Sequence, residues 1–180
     1  MIVLVGASAS GKSELAKILY QLYGYTKCIT TTTREPRQNE VDGIDYHFLS
    51  MNQFLKLKDE NSFLEVTEYN NHLYGIQRRD VKINGVVIVD PQGANAIEEK
   101  IGKDAFIVYV HTSEPLRKKR MIERKDAKHL IEERLKNDAN IFKEEAFHTI
   151  NLILENEQND LYHLANHVHH AYQSYINQQK

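Results

Sequence analysis

The chain opens on an unbroken apolar run, Ile2 to Val5, that stops at Gly6. A run this short, with no polar face, predicts a strand buried on both sides. Between Ser13 and Leu22 the apolar positions shift to helical spacing (Leu15, Ile18, Leu19, Leu22), and Gly24 follows as a stop. These two patterns alternate along the chain. "KCIT" reads as a weak second strand, and "GVVIVD", "AFIVYVH" and "TINLIL" as buried strands. "QGANAIEEKIG" reads as a helix closed by glycine, "EPLRKKRMIERK" as a helix capped by Ser113, and 127–143 as another. The tail from about Asp160 to Ile176 is amphipathic, with Leu161, Leu164 and Val168 on its inward ridge. Buried strands separated by helices predict an α/β fold, a parallel sheet covered on both sides.

The alternation breaks between about residues 30 and 80. Ser50 is placed to cap the helix "MNQFLKLKD", and "SFLEVTEY" and "HLYGI" flank an Asn-Asn turn as a hairpin. This stretch reads as a small mixed-β insertion. The threonines that open it, in "TTTTREPRQNEVDGIDY", have by composition the look of an exposed loop.

Composition narrows the classes. The 180 residues suit one domain with small inserted parts, and 41% hydrophobic residues are enough for a core. A net charge of −2 gives no global field for nucleic acid or an anionic membrane, so any anion site must be local. The lone Cys28 allows no internal disulfide and reads as a core thiol. The first apolar run is too short for a signal peptide or membrane helix, and a soluble cytoplasmic protein is expected.

Directly after the first strand stands "GASASGKS": Gly6, Ala7, Ser8, Ala9, Ser10, Gly11, Lys12, Ser13. It matches the phosphate-binding P-loop pattern at every fixed position, between a predicted strand and helix. Backbone N–H groups of such a loop cradle ATP phosphates, Lys12 reaches the β- and γ-phosphates, and the Ser13 hydroxyl holds Mg²⁺. Asp90, ending a buried strand, is the second metal candidate, and its other reading is a cap for the helix that follows. A P-loop kinase must also hold an acceptor phosphate against the γ-phosphate. Arg34 and Arg37, three apart around Pro36, have the planar forks for it, and Tyr46 and Tyr74 can add hydroxyls.

The stretches "TTTREPRQNEVDGIDYHF", "FLEVTEY…LYG" and "VDPQGA", with the P-loop and the basic helix, resemble the guanylate kinase family up to about residue 155. The resemblance implies a P-loop three-layer sandwich in one domain, with ATP and GMP (or dGMP) as substrates. The core would comprise 1–29, 81–115 and 145–180, the monophosphate-binding insertion 30–80, and a helical lid about 116–144. Arg34, Arg37, Tyr46 and Tyr74 would bind the acceptor phosphate and Glu40 would support the arginines. Glu65 and Thr30 would read the base, and Arg120, Arg124 and Arg134 would close on the phosphates. Three places depart from the family pattern: Ile76 and Ile88 near the base, and Leu154-Glu155-Asn156 near the adenine. Thr67, on the face of Glu65, is a candidate to compensate.

Three rivals stand beside a GMP kinase. They are a related kinase with another acceptor, a binding module without catalysis, and a P-loop ATPase acting on nucleic acid. Intact Lys12, Ser13, Arg34 and Arg37 oppose the second, and charge balance and size oppose the third. Expected partners are therefore ATP and a nucleoside monophosphate, without nucleic acid or membrane, in a monomer or homodimer. The basic run from Arg117 to Arg124 would by itself be a solvated face, and beside a P-loop at least one or two of its arginines are expected to be lid cations. His163, His167, His169 and His170 read as a polar helix surface rather than a zinc site.

Overall fold

The computed structural model describes residues 1–179. Five parallel strands form the main sheet in the order β2 (Thr26–Lys27), β7 (Gly85–Val89), β1 (Ile2–Val5), β8 (Phe106–His111), β9 (Leu152–Glu155). Period-two alternation in β1 divides the core. Ile2 and Leu4 face a cluster with Leu15 and Leu19 of α1 (Lys12–Tyr23) and Leu164 and Val168 of α6 (Leu161–Asn177). Val3 and Val5 face the other side, with Ala94 and Ile97 of α3 (Pro91–Ile101). Burial on both faces is why β1 carries no polar residue. Of the predicted α1 stripe, Leu22 alone is exposed. It sits two residues before Gly24, whose left-handed backbone (φ 67°) ends the helix.

A second sheet, ordered β4 (His47–Phe48), β3 (Thr30–Thr32), β6 (His72–Gln77), β5 (Phe63–Tyr69), carries Thr30, Glu65 and Tyr74. Its β5–β6 hairpin turns on Asn70 and Asn71, both at positive φ (50° and 61°), as a tight two-residue hairpin turn requires. The threonine run is not an exposed loop: Thr30, Thr31 and Thr32 form buried β3, with the Thr31 hydroxyl accepting from Gln77 at 2.8 Å. β-Branched side chains suit a strand once their hydroxyls find partners. α2 (Met51–Asp59) carries the expected Ser50 cap, as a full capping box with Gln53.

Between β8 and β9 the chain forms α4 (Glu114–Glu123) and α5 (Lys128–Ile141), joined by a short turn. "TINLIL" enters the sheet three residues late, at Leu152, and Asn151 just before it accepts the Ile107 N–H through its side chain at 2.7 Å. Cys28 is buried and free. His163, His167 and His170 are exposed, whereas His169 is half-buried, stacked on Tyr23 at 4.3 Å and hydrogen-bonded to Tyr25 at 3.0 Å. Among the described residues no helix is long and apolar enough to cross a membrane.

Candidate active site

The phosphate loop fills the turn from β1 into α1. Gly11 adopts φ 100°, and a Cβ there would collide with the Asn156 side-chain amide. A Cβ at Gly6 would strike the Val110 carbonyl, so both glycines are demanded by their surroundings. Lys12 Nζ donates to the carbonyls of Gly6 (2.5 Å) and Ala7 (2.9 Å). Burial brings its pKa down to about 8. Fully buried Asn156 donates to Ser10 O at 2.8 Å, and Thr112 donates to the same oxygen at 3.1 Å. Asn156 therefore shapes the loop. Of the departing residues Leu154-Glu155-Asn156, Asn156 is the one that meets the loop.

A cleft of about 190 Å³ runs from this loop to the second sheet. Gly6, Ser8, Ala9, Lys12 and Ser13 line one end, and Thr30, Arg34, Arg37, Tyr46, Glu65 and Tyr74 line the other. Arg124 and Arg134 contribute from the α4–α5 segment. Glu40 lies behind the arginines as expected. Its carboxylate accepts Arg34 Nη2 at 3.0 Å, pairs with Nη1 at 3.0 Å, and accepts the Arg37 backbone N–H at 2.7 Å. The Arg34 guanidinium also lies over Tyr46, 5.3 Å from the ring centroid. Arg37 has its pKa lowered by burial and then by the charges of Arg34, Arg134 and Arg124. Four cations facing one another in this way constitute an anion site.

Arg124 and Arg134 share one carboxylate. Asp126 accepts Arg124 Nε at 2.9 Å and Nη2 at 2.6 Å, and Arg134 Nη1 at 2.7 Å. Arg120 is not brought to the cleft with them. Its guanidinium donates to Ala9 O (3.1 Å) and Asn156 O (3.2 Å), bracing the loop from outside.

At the far end, Glu65 is buried on β5. Its Oε1 accepts the Ile76 N–H at 3.1 Å, and its Oε2 has no partner. Burial, then the nearby Asp90 charge, push its pKa up to about 8. A buried carboxylate oxygen without a donor is costly, and this one belongs to a residue that lines the cleft. The Ile76 side chain is fully buried among core residues and does not line the cleft, so its contribution to the pocket is its backbone N–H. Ile88 does line the cleft. Asp90 adopts its second reading, since Oδ1 caps α3 by accepting the Gly93 N–H at 2.8 Å. Its Oδ2 accepts from Thr67 at 3.1 Å, so Thr67 is bound to Asp90 as well as facing the cleft. Asp90 and Ser13 nevertheless border one cleft, and a carboxylate and a hydroxyl are oxygen donors of the kind Mg²⁺ takes.

Asp126 is not among the residues the sequence singles out, because its role comes only from the turn that sets it between Arg124 and Arg134.

A parallel sheet with a P-loop after its central strand, facing a cationic cleft toward a second sheet, defines a P-loop α/β protein. The guanylate kinase family model matches residues 1–175. The chain belongs to the guanylate kinase family. A guanylate kinase of Clostridium acetobutylicum is 35% identical over 69% of this chain, a match spanning 62% of that protein. Those of Wolinella succinogenes (34%) and Helicobacter pylori (35%) are matched over 75% and 76% of the chain and 67% and 70% of their own lengths. The crystal structure of guanylate kinase from Anaplasma phagocytophilum superposes with a TM-score of 0.72 at 21% identity, covering 97% of this chain and 85% of that one.

Proposed function

We propose that this chain transfers the γ-phosphoryl group of ATP to GMP or dGMP, giving the two diphosphates. The observation that carries the reading is Glu65: a buried carboxylate whose Oε2 lacks a donor, in the same cleft as the P-loop and Arg34 and Arg37. Guanine presents two adjacent donors, N1–H and N2–H₂, that a carboxylate accepts together, and adenine offers no such pair. The Thr30 hydroxyl on the same wall supplies a further contact.

ATP phosphates lie on the backbone of Gly6 to Ser13, with Lys12 leaving the loop carbonyls for phosphate oxygens. Arg34, Arg37, Tyr46 and Tyr74 hold the acceptor phosphate, and Glu40 keeps the arginines aimed. Ser13 and Asp90 would hold Mg²⁺, which would supply positive charge to the phosphates. An acceptor phosphate oxygen is already anionic, so it attacks the γ-phosphorus in line without a general base. The P–O bond to ADP breaks and ADP leaves with its electron pair. Catalysis then amounts to positioning and charge neutralisation by Lys12, Arg34, Arg37, Arg124 and Arg134. Arg120 acts by supporting the loop. The segment about 116–144 serves as the lid that excludes water and 30–80 as the acceptor-binding part.

The test is ADP release from Mg-ATP with GMP, dGMP, AMP, CMP, UMP and dTMP, beside Lys12→Met. Turnover with GMP or dGMP alone, abolished in Lys12→Met, is the expected result. Preference for another base would mean that the pocket around Ile88 has a different occupant. GMP binding without turnover would leave a binding module.

A further inference from the structure

The Asp138 carboxylate is completely enclosed, and its donors come from three separate parts of the chain. Oδ2 accepts the Ser8 N–H at 2.8 Å and Arg117 Nη1 at 3.1 Å, and Oδ1 accepts the Tyr69 hydroxyl at 2.7 Å. Ser8 belongs to the phosphate loop, Tyr69 ends β5, Arg117 lies on α4 and Asp138 on α5. Ser8 has every polar group engaged by the same set. Its Oγ lies 3.3 Å from the Tyr69 hydroxyl and its carbonyl accepts Arg117 Nη1 at 3.5 Å. Two neighbouring contacts join β5 and its turn to α5: Asn137 donates to Asn70 at 2.9 Å, and the Tyr69 ring meets Phe142 edge-on at 6.3 Å. Tyr69 also meets Tyr74 edge-on, 6.3 Å between centroids.

A structural ion pair on α4 and α5 would need only Arg117 and Asp138. The Tyr69 arm adds something else, a direct link from the acceptor sheet to the phosphate loop. We propose that Asp138 and Tyr69 form a clasp that sets the acceptor side against the phosphate loop, making them positioning residues for phosphoryl transfer. The proposal rests on the kinase reading above. Transfer requires reacting atoms roughly 3–3.5 Å apart, and a misplacement of about 1 Å costs on the order of a hundredfold in rate. A carboxylate with three donors in a dry site is a stiff anchor for that distance. Removing the Tyr69 hydroxyl leaves Asp138 paired with Arg117 and Ser8, so no buried charge is stranded.

The experiment compares the full chain with Tyr69→Phe, Asp138→Asn and the double variant. It reads thermal midpoint, kcat, KM for each substrate, and the Kd of GMP with and without a non-hydrolysable ATP analogue plus Mg²⁺. Tyr69→Phe is expected to unfold a few degrees lower, to remain folded and to bind each ligand alone within about twofold, while kcat falls about tenfold or more. The analogue should tighten GMP binding in the wild type and no longer do so in Tyr69→Phe. The double variant should lose no more than Asp138→Asn alone. Unchanged kcat and coupling in Tyr69→Phe, with or without a lower midpoint, would reduce the contact to a structural one and overturn the proposal. A wild type that turns over no acceptor would overturn the kinase reading instead. The clasp then stands or falls on the binding coupling, and a wild-type GMP Kd indifferent to the analogue overturns it.

Discussion

Glu65 lines the cleft and Glu40 lies behind its arginines, and the two carboxylates have opposite tasks. Glu65 is held near pKa 8 by burial and by Asp90, against an ordinary value of 4.5. Below pH 8 its protonated form prevails, and a guanine that brings two N–H donors must expel that proton. GMP affinity should therefore rise by up to about tenfold per pH unit on approach to pH 8. Calorimetry in buffers of different ionisation enthalpy should show net proton release. Glu65→Gln should lose both the slope and the release; if it keeps them, the titrating group lies elsewhere. For folding the sign is the reverse of the usual carboxylate. The contribution of Glu65 to stability is fully present below about pH 4.5 and is lost as pH rises through 8. Glu40 works by aiming cations. Glu40→Gln should raise KM for GMP about tenfold or more, because Arg34 loses a charged fork, and leave KM for ATP within about twofold. Equal rises in both constants would place Glu40 outside the acceptor site. The cleft side chains were legible because their spacing sits inside motifs. Asp126 and Asp138 were not, since a carboxylate on a charged helix or turn looks like any solvated residue until its partners fold against it.

Among the elements, the buried strands and the α2 cap could be read in advance because each has a local cause. Ser50 begins α2 with its hydroxyl accepting the Gln53 N–H at 3.3 Å, and Gln53 answers through Ser50 N–H at 2.9 Å. Ser50→Ala should lower unfolding free energy by about 1 kcal/mol with kcat unchanged, as measured by urea titration and initial rates. A loss of kcat at unchanged stability would show that α2 reaches the site in a way the cap does not explain. The buried threonine strand had no such local signal. Thr30 to Thr32 are strand-forming only because Gln77, β4 and β6 surround them, and composition alone favours a loop. The start of β9 has no local signal either: Thr149 and Ile150 continue a strand-like pattern, but the ladder with β8 begins only at Leu152 opposite Val108.

At the scale of the whole molecule, charge is distributed against its sum. The chain carries net −2, yet Arg34, Arg37, Arg124 and Arg134 border a single cleft, and Arg37 is depressed partly by the other three. Such a cleft draws an anion locally, and long-range steering from the rest of the surface adds little. GMP binding should weaken several-fold as salt rises from about 0.05 to 0.5 M, because the Debye length shrinks below the spacing of the cations. Guanosine lacks the phosphate and keeps the base, so its binding should respond to salt by less than about twofold. Equal salt slopes for the two ligands would mean that the arginines do not hold the acceptor phosphate. A steep slope for GMP that becomes shallower in Arg37→Ala would tie it to this cleft. Arg37 is suited to that control because none of its guanidinium hydrogen bonds is with another side chain among the described residues, whereas Arg34 and Arg134 also anchor Glu40 and Asp126.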